Sequence, residues 1–102
     1  MESKNKVIWT ESAKVSFTDI LDFLQFTWGQ KQVDDFYNLT DKIIERISKN
    51  PFQFSLYNDS KEVRRALVHK NVSLFFRRNA EEGTIFLMLF FDNRQKPIQF
   101  KS

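Results

Sequence analysis

The sequence predicts one α+β domain of two layers, in which a pair of helices packs on one face of a sheet. Three observations support this class. A length of 102 residues suits a single domain spanning residues 1–102. Two apolar stripes with helical spacing occupy residues 13–47, and three short apolar runs separated by turn signals occupy residues 62–91. With a short strand at the beginning, the order is strand, helix, helix, strand, strand, strand.

The first part of the chain is expected to form a strand and a helix. Residues 6–10 have the composition of a short strand, and Thr10 or Ser12 can cap the helix that follows. Gly29 is a suitable residue to end that helix. The apolar stripe of the helix consists of Ala13, Phe17, Ile20, Leu21, Leu24 and Trp28.

A second helix is expected to follow almost at once and to end at Asn50-Pro51. Because the link between the helices is so short, they must lie antiparallel as a helical hairpin, with both stripes turned to a common sheet. The stripe of the second helix consists of Val33, Phe36, Tyr37, Thr40, Ile43, Ile44 and Ile47.

The second half of the chain predicts a connector and three strands. Residues 51–61 are expected to be an extended connector whose phenylalanines are tucked under the sheet or the helices. The strands are predicted at residues 62–68, 72–78 and 84–91. The links between them are short, so they should form an antiparallel meander of adjacent hairpins.

The last strand is an apolar run that stops at a polar, cationic segment. Residues 85–91 are all apolar and do not alternate with polar residues, which indicates a strand covered on both faces. Residues 92–97 then read Asp-Asn-Arg-Gln-Lys-Pro. Arg94 follows the buried strand directly, a position suited to holding an arginine against a polyanion or a carboxylate.

Strand alternation predicts which residues lie on the face of the sheet opposite the helices. If the even-numbered residues of 72–76 face the helices, Ser73, Phe75 and Arg77 lie on the opposite face. Two interpretations remain open: this face binds a protein, or it is covered by the connector and the tail residues 98–100. The predicted apolar patch consists of Phe75, Phe86, Met88 and Phe90.

Composition restricts the chemistry that this chain can perform. It has no cysteine and one histidine, His69, which argues against a zinc site, and we expect no metal and no cofactor. The beginning of the sequence does not resemble a signal peptide, and the last apolar run is far shorter than the roughly 20 residues that span a bilayer. We therefore expect a cytoplasmic protein with no membrane partner.

Charge is distributed unevenly along the chain. Residues 1–50 have seven basic and eight acidic side chains, whereas residues 51–102 have nine and five. Five of the six arginines are in the second half. This asymmetry indicates either an acidic or nucleic-acid partner for the second half or ordinary solvated charge.

With this element order, the chain resembles the RelE/ParE superfamily of bacterial toxins from type II toxin–antitoxin systems, and the resemblance covers nearly the whole chain. The matching features are Trp9 followed by a capped helix with Ala13, the helical hairpin ending in Asn50-Pro51, the strand start Val63-Arg64-Arg65, the segment Phe75-Phe76-Arg77, and Arg94 just beyond the last strand.

The resemblance implies one of two activities. RelE-like toxins are ribosome-dependent endoribonucleases that cut mRNA by attack of a 2′-hydroxyl on the adjacent phosphate, whereas ParE-like toxins act on DNA gyrase without a recognised catalytic centre. The cationic positions of the RelE-like pattern correspond here to Arg64, Ala66, Ser73 and Arg94, and its tyrosine corresponds to Phe100. Arg64 and Arg94 therefore keep a positive charge at two of these positions, whereas Phe100 has no group that can transfer a proton.

Phosphodiester cleavage needs a general base, stabilisation of the developing charge and a general acid. Arg64 and Arg94 can each bind a phosphate through two hydrogen bonds, but neither is a plausible base. Tyr57 and His69 are the remaining weak candidates, and His69 is predicted in a turn, where a surface histidine is the ordinary interpretation.

These departures favour a ParE-like toxin that binds DNA gyrase and is neutralised by a cognate antitoxin. Arg64, Arg77, Arg94 and Lys96 are the predicted target-binding or phosphate-binding residues. Two alternatives remain: a RelE-like endoribonuclease that acts on mRNA at the ribosome, and a non-toxic binding module with the same fold.

Overall fold

The computed structural model describes residues 5–58 and 62–93, and these ranges contain two helices and five strands. The strands form one sheet in the order β1-β5-β4-β3-β2, in which β1 is parallel to β5 and the other neighbours are antiparallel. The predicted α+β class is confirmed. The elements are β1 (Lys6–Trp9), α1 (Glu11–Thr27), α2 (Gln30–Lys49), a 3₁₀ helix (Pro51–Gln53), β2 (Ser55–Asn58), β3 (Val63–His69), β4 (Val72–Asn79) and β5 (Thr84–Asp92).

The connector after α2 is more regular than the sequence predicts. It contains the 3₁₀ helix and β2, which pairs with β3 and so forms one edge of the sheet. Phe54 is tucked in as predicted, because its ring meets the ring of Phe76 edge-on with 5.7 Å between centroids. Phe52 is not tucked in, since 60% of its surface is exposed. The connector therefore contributes one ring to the core and presents another at the surface.

Thr10 fixes the start of α1 against the sheet. Its side-chain oxygen accepts a hydrogen bond from the backbone N–H of Ala13 at 3.2 Å, which makes it the N-cap of the helix. The same hydroxyl donates to the backbone oxygen of Leu87 in β5 at 2.7 Å. Ala13 is fully buried at this junction. Of the two predicted caps, Thr10 is confirmed, and its second bond ties the helix to β5.

Gly29 joins the two helices. It has φ +103°, a backbone conformation that residues with a Cβ rarely adopt, and it is the residue immediately before α2. Its N–H donates to the backbone oxygen of Leu24 in the last turn of α1. The predicted helix break at this position is confirmed, and the short link gives the expected hairpin.

The core lies between the helical hairpin and the central strands β4 and β5. The ring of Phe17 in α1 packs against this core, 5.2 Å from Trp9, 5.7 Å from Phe36 and 5.0 Å from Phe90. Phe76 in β4 is fully buried in the same cluster. Each fully buried side chain of this size favours the folded state by about 1.5–3 kcal/mol relative to an exposed one.

A β-bulge in β5 reverses the expected orientation of Phe90. Phe76 pairs with Leu87 and Phe75 pairs with Leu89, so Met88 is an extra residue with no partner in β4. Phe90 consequently faces the helices, where it is 3% exposed and its ring stacks on Trp9 at 5.4 Å. The prediction that Phe90 lies on the opposite face is wrong, because it assumed uninterrupted alternation along β5.

Candidate functional site on the open sheet face

The face of the sheet opposite the helices, here called the open sheet face, is defined by the strand register. Residues paired directly across antiparallel strands lie on the same face. Arg65 pairs with Phe75, Leu67 with Ser73, and Arg77 with both Val63 and Phe86. The open sheet face of the described strands therefore includes Val63, Arg65, Leu67, Ser73, Phe75, Arg77 and Phe86.

A chain of hydrogen bonds orients Arg65 on this face. Its Nε donates to the hydroxyl of Ser73 at 2.7 Å, and that hydroxyl donates in turn to the side-chain oxygen of Asn93 at 2.8 Å. Ser73 is fully buried, so its hydroxyl is committed to these two partners. Asn93 is itself fixed, because its backbone N–H donates to the backbone oxygen of Asn71. The end of β5 is thus linked to a guanidinium in the middle of the sheet.

The predicted apolar patch is only partly present on the open sheet face. Phe75 lies there but is 3% exposed, and the ring of Tyr57 meets it edge-on at 4.7 Å. Phe86 is half-buried beside the exposed Arg77. Met88 is half-buried at the bulge, and Phe90 is in the core. Of the two open interpretations, coverage by the connector is realised at Phe75.

Arg64 lies on the opposite side of the sheet from the other predicted site residues. It pairs with Phe76 of the core, so it faces the helices. Its Nη1 donates to the backbone oxygen of Phe54 at 2.7 Å. Arg64 and Arg77, both named as candidate binding residues, therefore lie on different sides of the sheet, and the buried Ala66 shows which residues of β3 face the helices. Arg65 occupies the open sheet face instead.

A second group of arginines surrounds the connector on the helix side. Arg46 of α2 lies over the ring of Phe54, with 5.5 Å from its guanidinium carbon to the ring centroid. Arg64 and Arg78 both lie over Phe52, at 5.2 and 5.1 Å. These five residues, Arg46, Phe52, Phe54, Arg64 and Arg78, are called the arginine–phenylalanine cluster below.

His69 lies beside Asn71, whose backbone oxygen accepts the bond from Asn93. It lies at the end of β3, where its Nδ1 accepts a hydrogen bond from the backbone N–H of Asn71 at 3.3 Å. It lines a groove of about 550 Å³ between the helical hairpin and the β3–β4 turn. Asp35 at this groove pairs with Lys31 at 2.9 Å, and this hydrogen bond, together with the attraction of the carboxylate, raises the pKa of Lys31. His69 pairs with Val72, and both line the groove beside the helices.

Several predicted positions cannot be located on either surface. Arg94, Lys96 and Phe100 lie outside the described residues 5–58 and 62–93. Within those ranges, no group of three or more metal-ligating side chains comes together. No helix in the described part of the chain is long and apolar enough to cross a membrane.

The two surfaces differ in what their arginines can do chemically. Arg65 keeps its terminal nitrogens for a ligand while its Nε is bound to Ser73, and Arg77 is exposed beside it in the next row of the sheet. Such a pair can bind phosphates or carboxylates and stabilise developing negative charge. Tyr57 is the titratable side chain that contacts this face through Phe75. Deprotonation of an attacking hydroxyl would depend on it or on residues beyond Asn93.

The arginines that sequence reasoning missed were Arg65, Arg78 and Arg46. The alternation of residues 65–68 could have indicated the face of Arg65. Ala66 and Val68 belong to the core on the helix side, so Arg65 and Leu67 point to the opposite face. Nothing in the local sequence predicts the cluster. Its members come from α2, the connector, β3 and β4, and they meet only through the tertiary structure.

The fold defines this chain as a two-layer α+β protein with a helical hairpin on a five-stranded sheet. No protein-family sequence model matches the chain, and neither does any curated protein at a significant level.

Two solved structures have the same fold. A chain of the chromosomal ParDE toxin–antitoxin system from P. aeruginosa superposes with a TM-score of 0.73 over 87% of this chain and 96% of that chain, at 14% identity. A chain of the RelBE2 toxin–antitoxin complex from Mycobacterium tuberculosis superposes with a TM-score of 0.55 over 90% of this chain and 94% of that chain, at 13% identity. The fold implied by the RelE/ParE resemblance is thereby confirmed.

Proposed function

We propose that this protein is the toxin of a type II toxin–antitoxin system, that it is ParE-like, and that it acts in the cytoplasm. In this proposal the toxin domain spans residues 1–102, binds a protein target such as DNA gyrase and is neutralised by a cognate antitoxin. The shared fold supports the toxin assignment, since both similar structures come from toxin–antitoxin systems. Arg77, Arg94 and Lys96 are the proposed target-binding residues, joined by Arg65 on the open sheet face.

One observation favours the ParE-like activity over the nuclease. Two positions that are cationic in the RelE-like pattern are here Ala66 and Ser73, and both are fully buried. Ala66 lies in the helix-side core, and the Ser73 hydroxyl is occupied by Arg65 and Asn93. Neither position can contribute a charge to a bound phosphate, so this surface fits binding better than phosphodiester cleavage.

The toxin assignment is tested by expressing the full chain from an inducible promoter and following growth. We expect growth arrest on induction and relief of the arrest when the protein encoded beside it is co-expressed. Arg77→Gln and Arg94→Ala should both weaken the arrest if these side chains bind the target. Normal growth with abundant, folded protein would overturn the assignment and leave the non-toxic binding module as the function.

The target is tested with purified components. A ParE-like toxin should inhibit supercoiling by DNA gyrase or trap cleaved DNA in that assay. A variant in which Arg77 is replaced by Gln should inhibit less, and Lys14→Gln, an exposed position on α1, provides a control with the same loss of charge. Full gyrase activity at saturating toxin would exclude this target.

A RelE-like endoribonuclease is the second candidate, favoured by Arg65 and Tyr57. The guanidinium of Arg65, which pairs with Phe75, and the phenol of Tyr57, whose ring contacts Phe75, would support this activity, although Arg64 faces the helices. Primer extension on cellular transcripts after a short induction should then reveal cuts within codons, and Tyr57→Phe should abolish them. Intact transcripts during growth arrest would exclude the nuclease.

A further inference from the structure

The arginine–phenylalanine cluster brings three positive charges together, and no acidic side chain of the described residues forms an ion pair with them. Within residues 5–58 and 62–93 the ion pairs are Lys31–Asp35 and Lys49–Glu45, and none of the cluster arginines takes part in one. Like charges held at one site repel each other, so gathering them is unfavourable unless a partner supplies negative charge. The cluster is therefore arranged for an external anion.

The guanidinium groups are held in place by contacts that leave hydrogen-bond donors available. Arg64 uses Nη1 on the backbone oxygen of Phe54, and Arg46 uses Nη2 on the side-chain oxygen of Gln53 at 3.1 Å. Each guanidinium has five N–H donors, so most of them remain free to bind an anion. Gln53 is itself fixed by donating to the backbone oxygens of Arg46 and Asn50. Little side-chain entropy is then lost when a ligand binds.

Arg78 places a further guanidinium at the same site. Its Nε is buried and has no hydrogen-bond partner among the described residues. A buried N–H without an acceptor destabilises the protein by about 1–3 kcal/mol, so unpaired groups of this kind are uncommon. The ring of Phe52, which both Arg78 and Arg64 contact, fixes the two guanidiniums close enough for one ligand segment to reach both.

Exposed apolar surface adjoins the charges. Phe52 is 60% exposed and Leu56 of β2 is 47% exposed. Leu56 pairs with Arg64, so it lies on the same side of the sheet as the cluster. Aromatic residues and arginine are the residue types enriched in the centres of protein–protein interfaces.

The number of charges favours a protein over a nucleic acid as the ligand. The electrostatic affinity for a nucleic acid rises with the number of phosphates that the protein neutralises, and a protein with about 6–10 such contacts owes a large share of its binding to them. Among the described residues the cluster offers three cations. Two or three desolvated arginine–carboxylate pairs around an aromatic anchor are, by contrast, sufficient to form the centre of a protein interface.

We propose that the arginine–phenylalanine cluster binds an acidic segment of a partner protein, whose carboxylates pair with Arg46, Arg64 and Arg78 and whose apolar side chains cover Phe52 and Leu56. If the proposed function is correct, this segment belongs to the antitoxin. The site lies on the helix side of the sheet, whereas the proposed target-binding arginines Arg65 and Arg77 lie on the open sheet face. One partner can thus bind here while the open sheet face remains accessible.

The experiment uses the purified full chain and a labelled probe peptide of sequence acetyl-Leu-Glu-Glu-Leu-Glu-Glu-amide. Fluorescence anisotropy gives its affinity, and nitrogen-15 spectra of the arginine Nε–H groups identify the guanidiniums that it contacts. We expect the Arg46, Arg64 and Arg78 signals to move on titration and the affinity to fall with added salt. Movement confined to Arg65 and Arg77, or no movement at millimolar peptide, would overturn the proposal.

A matched pair of double variants measures the contribution of the cluster. Arg64→Gln with Arg78→Gln should weaken peptide binding by about tenfold or more. Lys14→Gln with Lys42→Gln removes the same charge from exposed helix positions and should change it less than about twofold. Equal losses in the two variants would mean that net charge alone attracts the peptide. If the cluster variant does not fold, Arg46→Gln at an exposed position of α2 replaces it.

Two further measurements separate the possible partners. A single-stranded oligothymidylate of equal negative charge should bind more weakly than the peptide, and preferential binding of the oligonucleotide would overturn the proposal in favour of a nucleic acid. The growth assay described above is independent of peptide binding. If the chain binds the peptide but is not toxic, the proposed function is wrong and the inference about the cluster stands. If the chain is toxic but does not bind the peptide, the inference is wrong and the proposed function stands.

Discussion

The two arginine-bearing surfaces of this protein hold their guanidiniums by different means. On the open sheet face, Arg65 is fixed by hydrogen bonds to the buried Ser73 and through it to Asn93. In the arginine–phenylalanine cluster, Arg64 and Arg78 are placed over the ring of Phe52. The first arrangement depends on one directional polar chain, whereas the second combines contact with an aromatic ring and, for Arg64, a hydrogen bond to the backbone oxygen of Phe54.

This difference has a consequence for ligand binding. A guanidinium whose Nε is hydrogen-bonded has a fixed rotation, so Arg65 presents its terminal nitrogens in one direction. In the cluster, Arg64 is held by its ring contact and its bond to Phe54, whereas Arg78 lies over Phe52 with no described acceptor for its Nε. We therefore expect the open sheet face to select its ligand by geometry, and the cluster to accept acidic segments of varied sequence.

The largest expected effect comes from Phe90→Ala, which tests whether Phe90 faces the helices and Phe86 the open sheet face. Phe90→Ala should destabilise the fold by about 3–5 kcal/mol, because it removes a buried ring that contacts Trp9 and Phe17. Phe86→Ala should cost about 1 kcal/mol, since that side chain is half-buried on the open sheet face. Urea denaturation of the two variants gives both values. Equal destabilisation would mean that β5 alternates without a bulge.

The sequence predicted the element order, the cap at Thr10, the break at Gly29 and the approximate bounds of β3, β4 and β5. These features depend on local signals, namely periodicity, a capping hydroxyl and a glycine, and local signals survive in the folded protein. The short strand β2 was missed because four residues in an aromatic connector do not establish an alternating pattern.

The errors in the predicted site arose where the orientation of a strand depends on tertiary contacts. The run of residues 85–91 is apolar throughout, so it contains no alternation that could reveal the bulge at Met88. The bulge is stabilised from outside the strand, since the backbone N–H of Phe90 donates to the hydroxyl of Ser16 in α1 at 2.9 Å. Arg64 and Arg65 are adjacent and lie on opposite faces of the sheet, so the pairing of β3 decides which of them faces the helices.

The second prediction disrupts the polar chain of the open sheet face. Ser73→Ala removes the acceptor of Arg65 Nε and the donor to Asn93, and both partners lose their bond in a partly buried site. We expect a loss of about 1–3 kcal/mol in the free energy of unfolding. Ser55→Ala in β2, an exposed serine of the same sheet, should cost less than about 0.5 kcal/mol. Comparable stability of the two variants would show that the hydrogen-bond chain does not hold Arg65.

The smallest expected effect concerns the ring that organises the cluster. Phe52→Leu keeps an apolar side chain at an exposed position but removes the aromatic face under Arg64 and Arg78. Exposed cation–π contacts contribute about 0.5–1 kcal/mol each, so we expect about 1 kcal/mol of destabilisation. Phe52→Tyr, which keeps the ring, should retain wild-type stability and is the control.

In the leucine variant the Nε–H signals of Arg64 and Arg78 should also broaden or converge towards those of a mobile arginine, whereas the signal of Arg65 should not change. A stable leucine variant with unaltered arginine signals would mean that Arg64 is positioned by its bond to Phe54 alone, and the contrast between the two surfaces would then reduce to two versions of hydrogen bonding.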